Sequence, residues 1–209
     1  MVRRDMPKIV DHDERREALC LAAAKLIHEE GLEAATVRAI ARAASCSTGV
    51  LAHYFADKDD LVAHVLAFVN HRPIARIVAR LESEQDTSSV VSWLDEVLPL
   101  DEERRMEWSV RLAIWGVKPS LQTFAPSGQT SWIDGSRSLV ELSKSRGVLP
   151  PDLDSDEFAR RITAAIMGAS LCAMFEPKRF DPTWLRGFIA ETLDEFVVGG
   201  VITSSRASA

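Results

Sequence analysis

The sequence has only three cysteines among its 209 residues, and their spacing fits neither a metal site nor a redox motif. Cys20, Cys46 and Cys172 lie far apart, and with the five histidines they form no zinc pattern. We therefore expect reduced thiols that pack as small apolar groups, in a protein that needs no metal and no cofactor.

Long apolar segments are also missing. The longest such run, residues 162–175, is interrupted by Thr163 and Ser170 and is too short to span a bilayer. The N-terminal residues lack the apolar stretch of a secretory signal peptide. These two absences predict a cytoplasmic protein without a membrane segment.

An excess of basic charge, which is typical of nucleic-acid-binding proteins, is absent as well. The net charge is −6, and residues 1–64 contain nine lysines and arginines against eleven aspartates and glutamates. Net charge therefore argues against DNA binding, and a DNA-binding function must rest on a motif and on where its charges lie.

Catalytic motifs are not found either. The sequence contains no H-E-x-x-H, no E-x-x-H pair and no G-x-S-x-G, which argues against a hydrolase or a carboxylate metal protein. The acidic cluster at 152–157 lacks the glycine and the spaced glutamate of a calcium loop, and we interpret it as the charged start of a helix. We predict that the chain is not an enzyme.

What the sequence does contain is a succession of helical patterns between clear stops, without strand-like alternation. Thr36 and Asp57 are good N-caps, and Pro73 predicts a kink or a break in the helix that contains it. The pair Gly199-Gly200 is expected to stop the last helix. The predicted fold is all-α with about nine helices, at about 13–30, 36–44, 48–54, 58 to beyond 80, 88–98, 101–115, 130–146, 155–175 and 183–198.

Residues 36–55, TVRAIARAASCSTGVLAHYF, have the pattern of a helix, a tight turn and a second short helix. This arrangement allows the second helix to enter the DNA major groove while the first crosses the backbone. Val37, Ile40, Val50 and Leu51 have the spacing to pack the two helices together. The second helix would then expose Ser47, Thr48, Gly49, Ala52 and His53.

The same stretch resembles the DNA-binding head of the tetracycline-repressor family. That family's signature has a helix that begins with Thr, a turn, and a Gly-x-x-x-(His/Tyr)-(His/Tyr)-Phe-x-x-Lys-x-x-Leu segment. The matching residues are Thr36, Ala41, Ser47, Gly49, His53, Tyr54, Phe55, Lys58 and Leu61. Three segments, 47–61, 101–115 and 164–177, further resemble the choline-responsive, betaine-synthesis branch of the family.

Two residues of the turn depart from the family pattern. Ser45 stands where Gly is usual, and Cys46 stands where Val is usual. If φ is positive at Ser45, the serine costs about 1 kcal/mol relative to glycine.

The resemblance implies a function and a domain organisation. It implies a three-helix, helix-turn-helix DNA-binding domain at 1–57, a ligand-binding and dimerisation domain at 58–203, and a loose tail at 204–209. The function it implies is sequence-specific transcriptional regulation, most simply by a repressor that a small-molecule ligand releases from a palindromic operator.

The head is expected to contact DNA through a small group of residues, with additional charge close by. Arg42 and a basic arm at residues 3–8 are expected to supplement the charge of the head. The residues that the family pattern and their position assign to DNA contacts are Thr36, Arg38, Ser47, Thr48, Gly49, His53, Tyr54 and Lys58.

Large apolar residues outside the head admit two interpretations. All five tryptophans follow residue 92, and Trp108, Leu112 and Trp115 share one helical stripe. Core packing is the simpler interpretation of each tryptophan. The alternative is a ligand cavity, which in the choline-responsive branch implies a quaternary ammonium held by cation–π contacts. The candidate lining residues are Trp93, Trp108, Leu112, Trp115, Phe124, Met167 and Phe175.

The last two long helices are rich in small and apolar residues at helical spacing. One face must pack on the body's own core, and we expect another to bury against the same helices of a partner in a two-fold, four-helix interface. A palindromic operator also requires two heads about one DNA turn apart. The candidate interface residues are Ile162, Ile166, Ala169, Ala173, Leu185, Ile189, Leu193 and Phe196.

A helical adaptor that binds only proteins is the other functional alternative. Such a protein would not need the S-T-G and H-Y-F segments and the following lysine on a short exposed helix. The two functions differ in a simple property, because phosphate contacts make DNA affinity fall steeply with salt.

Overall fold

The computed structural model describes residues 9–83, 93–117, 132–147 and 149–206, but not the side chains of residues 9–11, 81–83 and 196–206. The described residues form eight helices and no strand, which confirms the all-α prediction. The helices are α1 (Ile9–Glu30), α2 (Val37–Ala43), α3 (Thr48–Tyr54), α4 (Lys58–Ser83), α5 (Glu102–Val117), α6 (Trp132–Ser145), α7 (Ser155–Phe175) and α8 (Pro182–Arg206).

Side-chain caps begin several helices at the residues that the sequence marks. Oγ1 of Thr36 accepts a hydrogen bond from the N–H of Ala39 at 3.2 Å, at the start of α2. Oδ1 of Asp181 accepts from the N–H of Trp184 at 2.8 Å, and Pro182 is the first residue of α8. These caps satisfy N–H groups that have no partner within the helix, so helix starts can be located from local sequence.

The end of the last helix differs from the prediction. α8 continues through Gly199 and Gly200 to Arg206, so the prediction that this glycine pair stops the helix is wrong. Glycine inside a helix costs about 1 kcal/mol relative to alanine, which a long helix can tolerate. The helix therefore includes residues 204–206 of the predicted tail, and 207–209 lie outside the described residues.

The predicted helix at 88–98 falls partly outside the described residues. In its described part, Trp93 and Leu94 are helical and residues 95–97 form a turn.

Helix α4 passes through Pro73 without a break. Proline has no N–H, so the carbonyl oxygen of Val69, four residues earlier, lacks its donor within the helix. Nη2 of Arg111, from α5, donates to this oxygen at 2.9 Å. A side chain from another helix thus replaces the missing backbone hydrogen bond.

The chain divides into two compact units. The first comprises Met1–His71 with Ser109–Ser127, and the second comprises Arg72–Trp108 with Gly128–Ala209. α4 begins in the first unit and ends in the second. The predicted domain boundary after residue 57 separates a DNA-binding from a ligand-binding domain. The two compact units do not test this functional division, so the boundary stays a prediction. The first unit buries Leu19, Ile27, Ile40, Leu51, Leu61 and Val65, and the second buries Trp93, Trp108, Phe158, Ile162, Leu185 and Ile189.

Two buried carboxylates organise part of the second unit, where Glu96 is 6% and Glu107 is 1% exposed. Arg76 donates to both carboxylate oxygens of Glu107, at 2.7 and 2.9 Å, and to Glu96 at 3.0 Å. Burial opposes the charged form of Glu96, but hydrogen bonds and charges from Arg104 and other arginines outweigh it and lower the pKa of Glu96. Burial likewise opposes the charge of Arg76, and the two glutamates outweigh it and raise the pKa of Arg76. The carboxylate of Glu96 therefore stays ionised inside the protein.

Helix α7 contains the apolar run at 162–175. The whole helix is long and apolar enough to cross a membrane by length and composition, and 44% of its apolar window is buried inside the protein. A core helix of a soluble protein meets the same test, so we infer no membrane segment from it.

The three cysteines are free. Cys20 is buried, and burial raises the pKa of its thiol to about 12. A thiol with so high a pKa stays protonated at neutral pH and is a poor nucleophile.

Candidate nucleic-acid interface

The turn between α2 and α3 is a Schellman motif with serine at the position that usually belongs to glycine. The N–H of Cys46 donates to the carbonyl of Ala41 at 2.9 Å, and the N–H of Ser45 donates to that of Arg42 at 3.1 Å. Ser45 has a φ of 51°, so the serine carries the strain of about 1 kcal/mol that a positive φ implies.

An apolar side holds α3 against the rest of the head, by which we mean α1–α3. Leu51 is 2% exposed, Phe55 follows the helix at 4%, and Ile40 of α2 is fully buried. Val50 is half-buried. The prediction that Val37 packs inward with these residues is wrong, because Val37 begins α2 at the margin of the core and is 36% exposed.

The residues predicted to contact DNA form what we call the recognition surface. Seven of the eight are exposed, and Tyr54 is half-buried. Ser47 caps α3, because its Oγ accepts from the N–H of Val50 at 3.4 Å. The exposed members of the surface are Thr36, Arg38, Ser47, Thr48, Gly49, His53 and Lys58.

In the part of the chain that the structure describes, Arg38 and Lys58 give this surface basic charge, and both are exposed. Arg42, in the last turn of α2, is also exposed. The predicted basic arm at residues 3–8 lies outside the described residues.

The packing within the chain does not require glycine at position 49. A Cβ added there would lie 3.6 Å from Oγ of Ser47, which is an ordinary van der Waals contact. The φ of Gly49 is not in the positive range, unlike that of Gly31 or Gly147. Since glycine weakens a helix, its presence here is explained more readily by a close approach of something outside the chain.

An aromatic cluster near the end of α3 includes a residue that the sequence analysis missed. The ring centroid of His12, from α1, lies 4.5 Å from that of Tyr54 and 5.8 Å from that of His53. The rings of His53 and Tyr54 are 5.3 Å apart. No local pattern marks His12, because only the packing of α1 against α3 brings it to the recognition surface.

The residues predicted to line a ligand cavity do not share one environment. Trp93 and Trp108 are buried, and Leu112, Trp115 and Met167 are half-buried. Phe175 is 76% exposed. Phe124 lies outside the described residues.

The two buried tryptophans are firmly packed. Nε1 of Trp108 donates to the carbonyl of Val97 at 2.8 Å, and its ring lies 6.0 Å from that of Trp132. The guanidinium of Arg146 lies 6.0 Å from the ring of Trp93. Both side chains fit the simpler interpretation of core packing, and the Trp93 ring already faces a cation.

A cavity in the second unit is too small for an effector. Its volume is about 20 Å³, room for about one water molecule, whereas small-molecule sites usually span about 300–1,000 Å³. The lining residues are Leu94, Ser136, Leu139, Val140, Ser143, Leu149, Phe158 and Ile162.

The residues predicted for the dimer interface lie inside the protomer. Seven of them are at most 5% exposed, so they serve the chain's own core. The side chain of Phe196 lies outside the described residues. The seven buried residues are Ile162, Ile166, Ala169 and Ala173 of α7 and Leu185, Ile189 and Leu193 of α8.

A different face of the same two helices is exposed, and we call it the outer face. Its most prominent side chains are Phe175, which is 76% exposed, Leu171 at 41% and Trp184 at 40%. Trp184 stacks on Phe188 with ring centroids 5.1 Å apart. The exposed members of the outer face are Ala164, Gly168, Leu171, Cys172 and Phe175 of α7 and Trp184 and Gly187 of α8.

Comparisons with known proteins find similar sequences along most of the chain. Residues 19–65 match the family described as bacterial regulatory proteins, tetR family, and residues 87–198 match the C-terminal region of BetI-type transcriptional repressors. The transcriptional regulator PksA of Bacillus subtilis is 28% identical over 92% of this chain and 95% of its own. The regulator BetI of Escherichia coli is 28% identical over 85% of this chain and 91% of its own.

Solved structures have a similar fold. A transcriptional regulator from Rhodococcus sp. RHA1 has a TM-score of 0.64 and 25% identity, and the match covers 88% of this chain and 96% of that one. A transcriptional regulator from Saccharomonospora viridis, solved in complex with choline, has a TM-score of 0.69 and 22% identity, covering 87% of this chain and 96% of that one.

Proposed function

The chain belongs to the tetR family of bacterial regulatory proteins, and we propose that it is a cytoplasmic homodimeric repressor that a small-molecule effector releases from a palindromic operator. Members of this family are transcriptional regulators and not enzymes; they bind DNA operators and small-molecule effectors, typically as dimers. The observation that carries the DNA-binding part is the orientation of α3, which buries Leu51 and exposes Thr48 and His53.

We assign each residue of the recognition surface a role in DNA binding. Thr36 and Lys58 bind phosphates, and Arg38 adds charge beside them. The start of α3 lies in the major groove, and the rings at its end contact a phosphate or a base edge. The groove residues are Ser47, Thr48 and Gly49, and the ring residues are His53 and Tyr54.

A salt series with duplex DNA from the region upstream of the chain's own gene tests this proposal. We expect the Kd to rise steeply with salt, because each phosphate contact releases condensed counterions. A duplex of shuffled sequence is the control, and it should bind more weakly at every salt concentration. Absence of salt-sensitive binding, together with unchanged Kd between the two duplexes, would favour the protein-binding adaptor.

The Gly49→Ala substitution should change the stability of the protein and its affinity for DNA in opposite directions. We expect the free energy of unfolding to rise by about 0.5–1 kcal/mol, because alanine favours the helix. We also expect DNA affinity to fall about tenfold, because the new methyl group enters the space where DNA approaches. Thermal unfolding and fluorescence anisotropy measure the two effects.

The matched control is Gly135→Ala in α6, where an added Cβ would have no atom of another residue within 4 Å. This change should raise stability and leave DNA binding unaltered. A Gly49→Ala protein that binds DNA as tightly as the wild type would contradict the close approach.

His12→Ala is expected to weaken DNA binding about three- to tenfold. An aromatic pair contributes about 0.5–1.5 kcal/mol, and loss of the His12 ring frees the Tyr54 and His53 rings from their fixed positions. Anisotropy at constant salt measures the effect, and His71→Ala, an exposed histidine of α4, is the control. Equal affinities of the two variants would show that His12 has no part in the surface.

The outer face of α7 and α8 is the surface that we propose for dimerisation. It contains three large exposed apolar side chains, it lies on the two helices that the sequence predicts for the interface, and its small residues allow helices to approach closely. The inner face of these helices supports the protomer, so the proposed interface uses Leu171, Phe175 and Trp184 in place of the residues predicted from sequence.

Phe175→Glu is expected to convert the dimer to monomers at micromolar concentration. Burying a glutamate at a two-fold axis places two like charges close together without partners. Light scattering measures the mass, and DNA affinity should fall in parallel because one head reads only half of the operator. Ile74→Glu, at an apolar residue of α4 that is 47% exposed, is the control and should remain dimeric. A dimeric Phe175→Glu protein would exclude the outer face as the interface.

For the effector we propose a quaternary ammonium compound. The BetI-type match over residues 87–198 and the choline bound to the Saccharomonospora viridis regulator support this chemical class. Aromatic rings attract such cations. Millimolar choline or betaine aldehyde should release the protein from DNA in the anisotropy assay, and absence of any interaction with either compound would remove this class of effector.

Release of the protein from DNA follows from the thermodynamic linkage between effector binding and DNA binding. An effector that binds better when the two heads are wrongly spaced for DNA weakens DNA binding by the same factor as DNA weakens effector binding. We propose α4 as the physical link, since Lys58 at its start belongs to the recognition surface and its later residues belong to the second unit.

A further inference from the structure

The hydrogen bond between Arg111 and the backbone of α4 lies where that helix lacks one of its own. Pro73 deprives the carbonyl of Val69 of its helical donor, and Nη2 of Arg111 donates to that oxygen at 2.9 Å. Nε of Arg111 donates to Oδ1 of Asn70, the next residue of α4, at 2.8 Å. Arg111 is 1% exposed, so this bidentate link is shielded from water.

A second polar contact joins α5, the helix of Arg111, to α1 of the head. Oγ of Ser109 lies 2.6 Å from Nδ1 of His28, in the last turns of α1. Within the first unit, two residues of α5 that are two positions apart, Ser109 and Arg111, therefore bind two different helices, α1 and α4.

We propose that Arg111 is a positioning residue that transmits the state of α5 to α4, and through α4 to the recognition surface. The proposal rests on the proposed function, and it names the residues through which regulation passes.

The position of the Arg111 contact on α4 allows it to transmit a shift of α5. An ordinary helical carbonyl is held by its own helix, so a neighbouring side chain has little influence on it. The carbonyl of Val69 depends on Arg111 instead, so a shift of α5 changes the hydrogen bonding of α4 at that point.

The coupling can be measured with DNA alone, because linkage is reciprocal. All five tryptophans lie outside the head, so tryptophan emission reports the remainder of the chain. The full-length protein is titrated with the upstream duplex while anisotropy of a labelled duplex follows binding and tryptophan emission follows the response.

Three variants separate a structural role from transmission. Arg111→Met removes the donors and is expected to lower the melting temperature. Adding Pro73→Ala supplies a backbone N–H to the Val69 carbonyl and should restore the melting temperature, but not the link to α5. Arg179→Met, at an arginine whose side chain is 78% exposed, is the control for loss of a charge.

In the wild type and in Arg179→Met we expect DNA to change the tryptophan emission saturably, with the same midpoint as binding. In the Pro73→Ala, Arg111→Met double variant we expect a wild-type melting temperature, DNA binding within about threefold of the wild type, and loss of the emission change.

Two results would overturn the inference. One is a double variant that is folded and DNA-bound and keeps the full emission change. The other is a wild type that binds DNA without any emission change. Absence of salt-sensitive DNA binding by the wild type would instead reject the proposed function, and this inference with it.

Discussion

Replacing Thr48 and His53 together by alanine should weaken binding to the upstream duplex about 100-fold at constant salt. Each contact to a base edge or phosphate is worth about 1–3 kcal/mol, and two such losses together correspond to this factor. Anisotropy titrations at constant salt give the Kd.

The fold should not be affected, because both side chains are exposed and the packing of α3 rests on Leu51. The matched control is Thr183→Ala with His71→Ala, which changes the same residue types at exposed positions outside the recognition surface. Its Kd should equal that of the wild type. Equal affinities for the Thr48, His53 variant and this control would contradict the role assigned to α3.

The largest effect on stability is expected for Glu107→Ala, which should lower the free energy of unfolding by about 3 kcal/mol. Glu107 is 1% exposed and accepts hydrogen bonds from Arg76 and from Arg72. Its removal takes one carboxylate partner from each of two largely buried guanidinium groups, because Arg76 keeps Glu96 and Arg72 keeps the exposed Glu103. This loss is much more costly than that of a surface ion pair. For a chain of this size the melting temperature should fall by about 6–12 °C.

Glu157→Ala is the matched control for this prediction. Glu157 also pairs with two arginines, Arg160 and Arg161, but all three side chains are at least 39% exposed. Solvent and salt screen such pairs, so its melting temperature should fall by no more than about 2 °C. If calorimetry gave the same shift for both variants, burial of the Glu107 network would not be a source of stability.

The elements that were predicted well depend on residues close together in sequence. Thr36 and Asp181 cap helices through hydrogen bonds to N–H groups three residues away. The turn at Ser45 closes through two backbone bonds that each span five residues or fewer. Because these interactions are local, the short helix α3 was predicted with its observed bounds, Thr48–Tyr54.

The prediction for the glycine pair in α8 was wrong although its pattern is also local. Glycine at 199 and 200 lowers helix propensity, but propensity is a weak preference that a long helix can override. The recognition surface likewise remained incomplete, because His12 belongs to it through the packing of α1 and not through any motif.

The sequence by itself determined the helical class, the helix-turn-helix motif and the family, since each is encoded in residue types at short, regular spacing. The tertiary structure decided which apolar face of α7 and α8 is buried, which left Phe175 and Trp184 outside and Ile166 and Leu185 inside. It also decided the partners of Arg111 and Glu107, which lie 42 and 31 residues away in the chain. Helical periodicity shows that a helix has apolar faces, but only the packing of distant segments determines what each face and each buried charge meets.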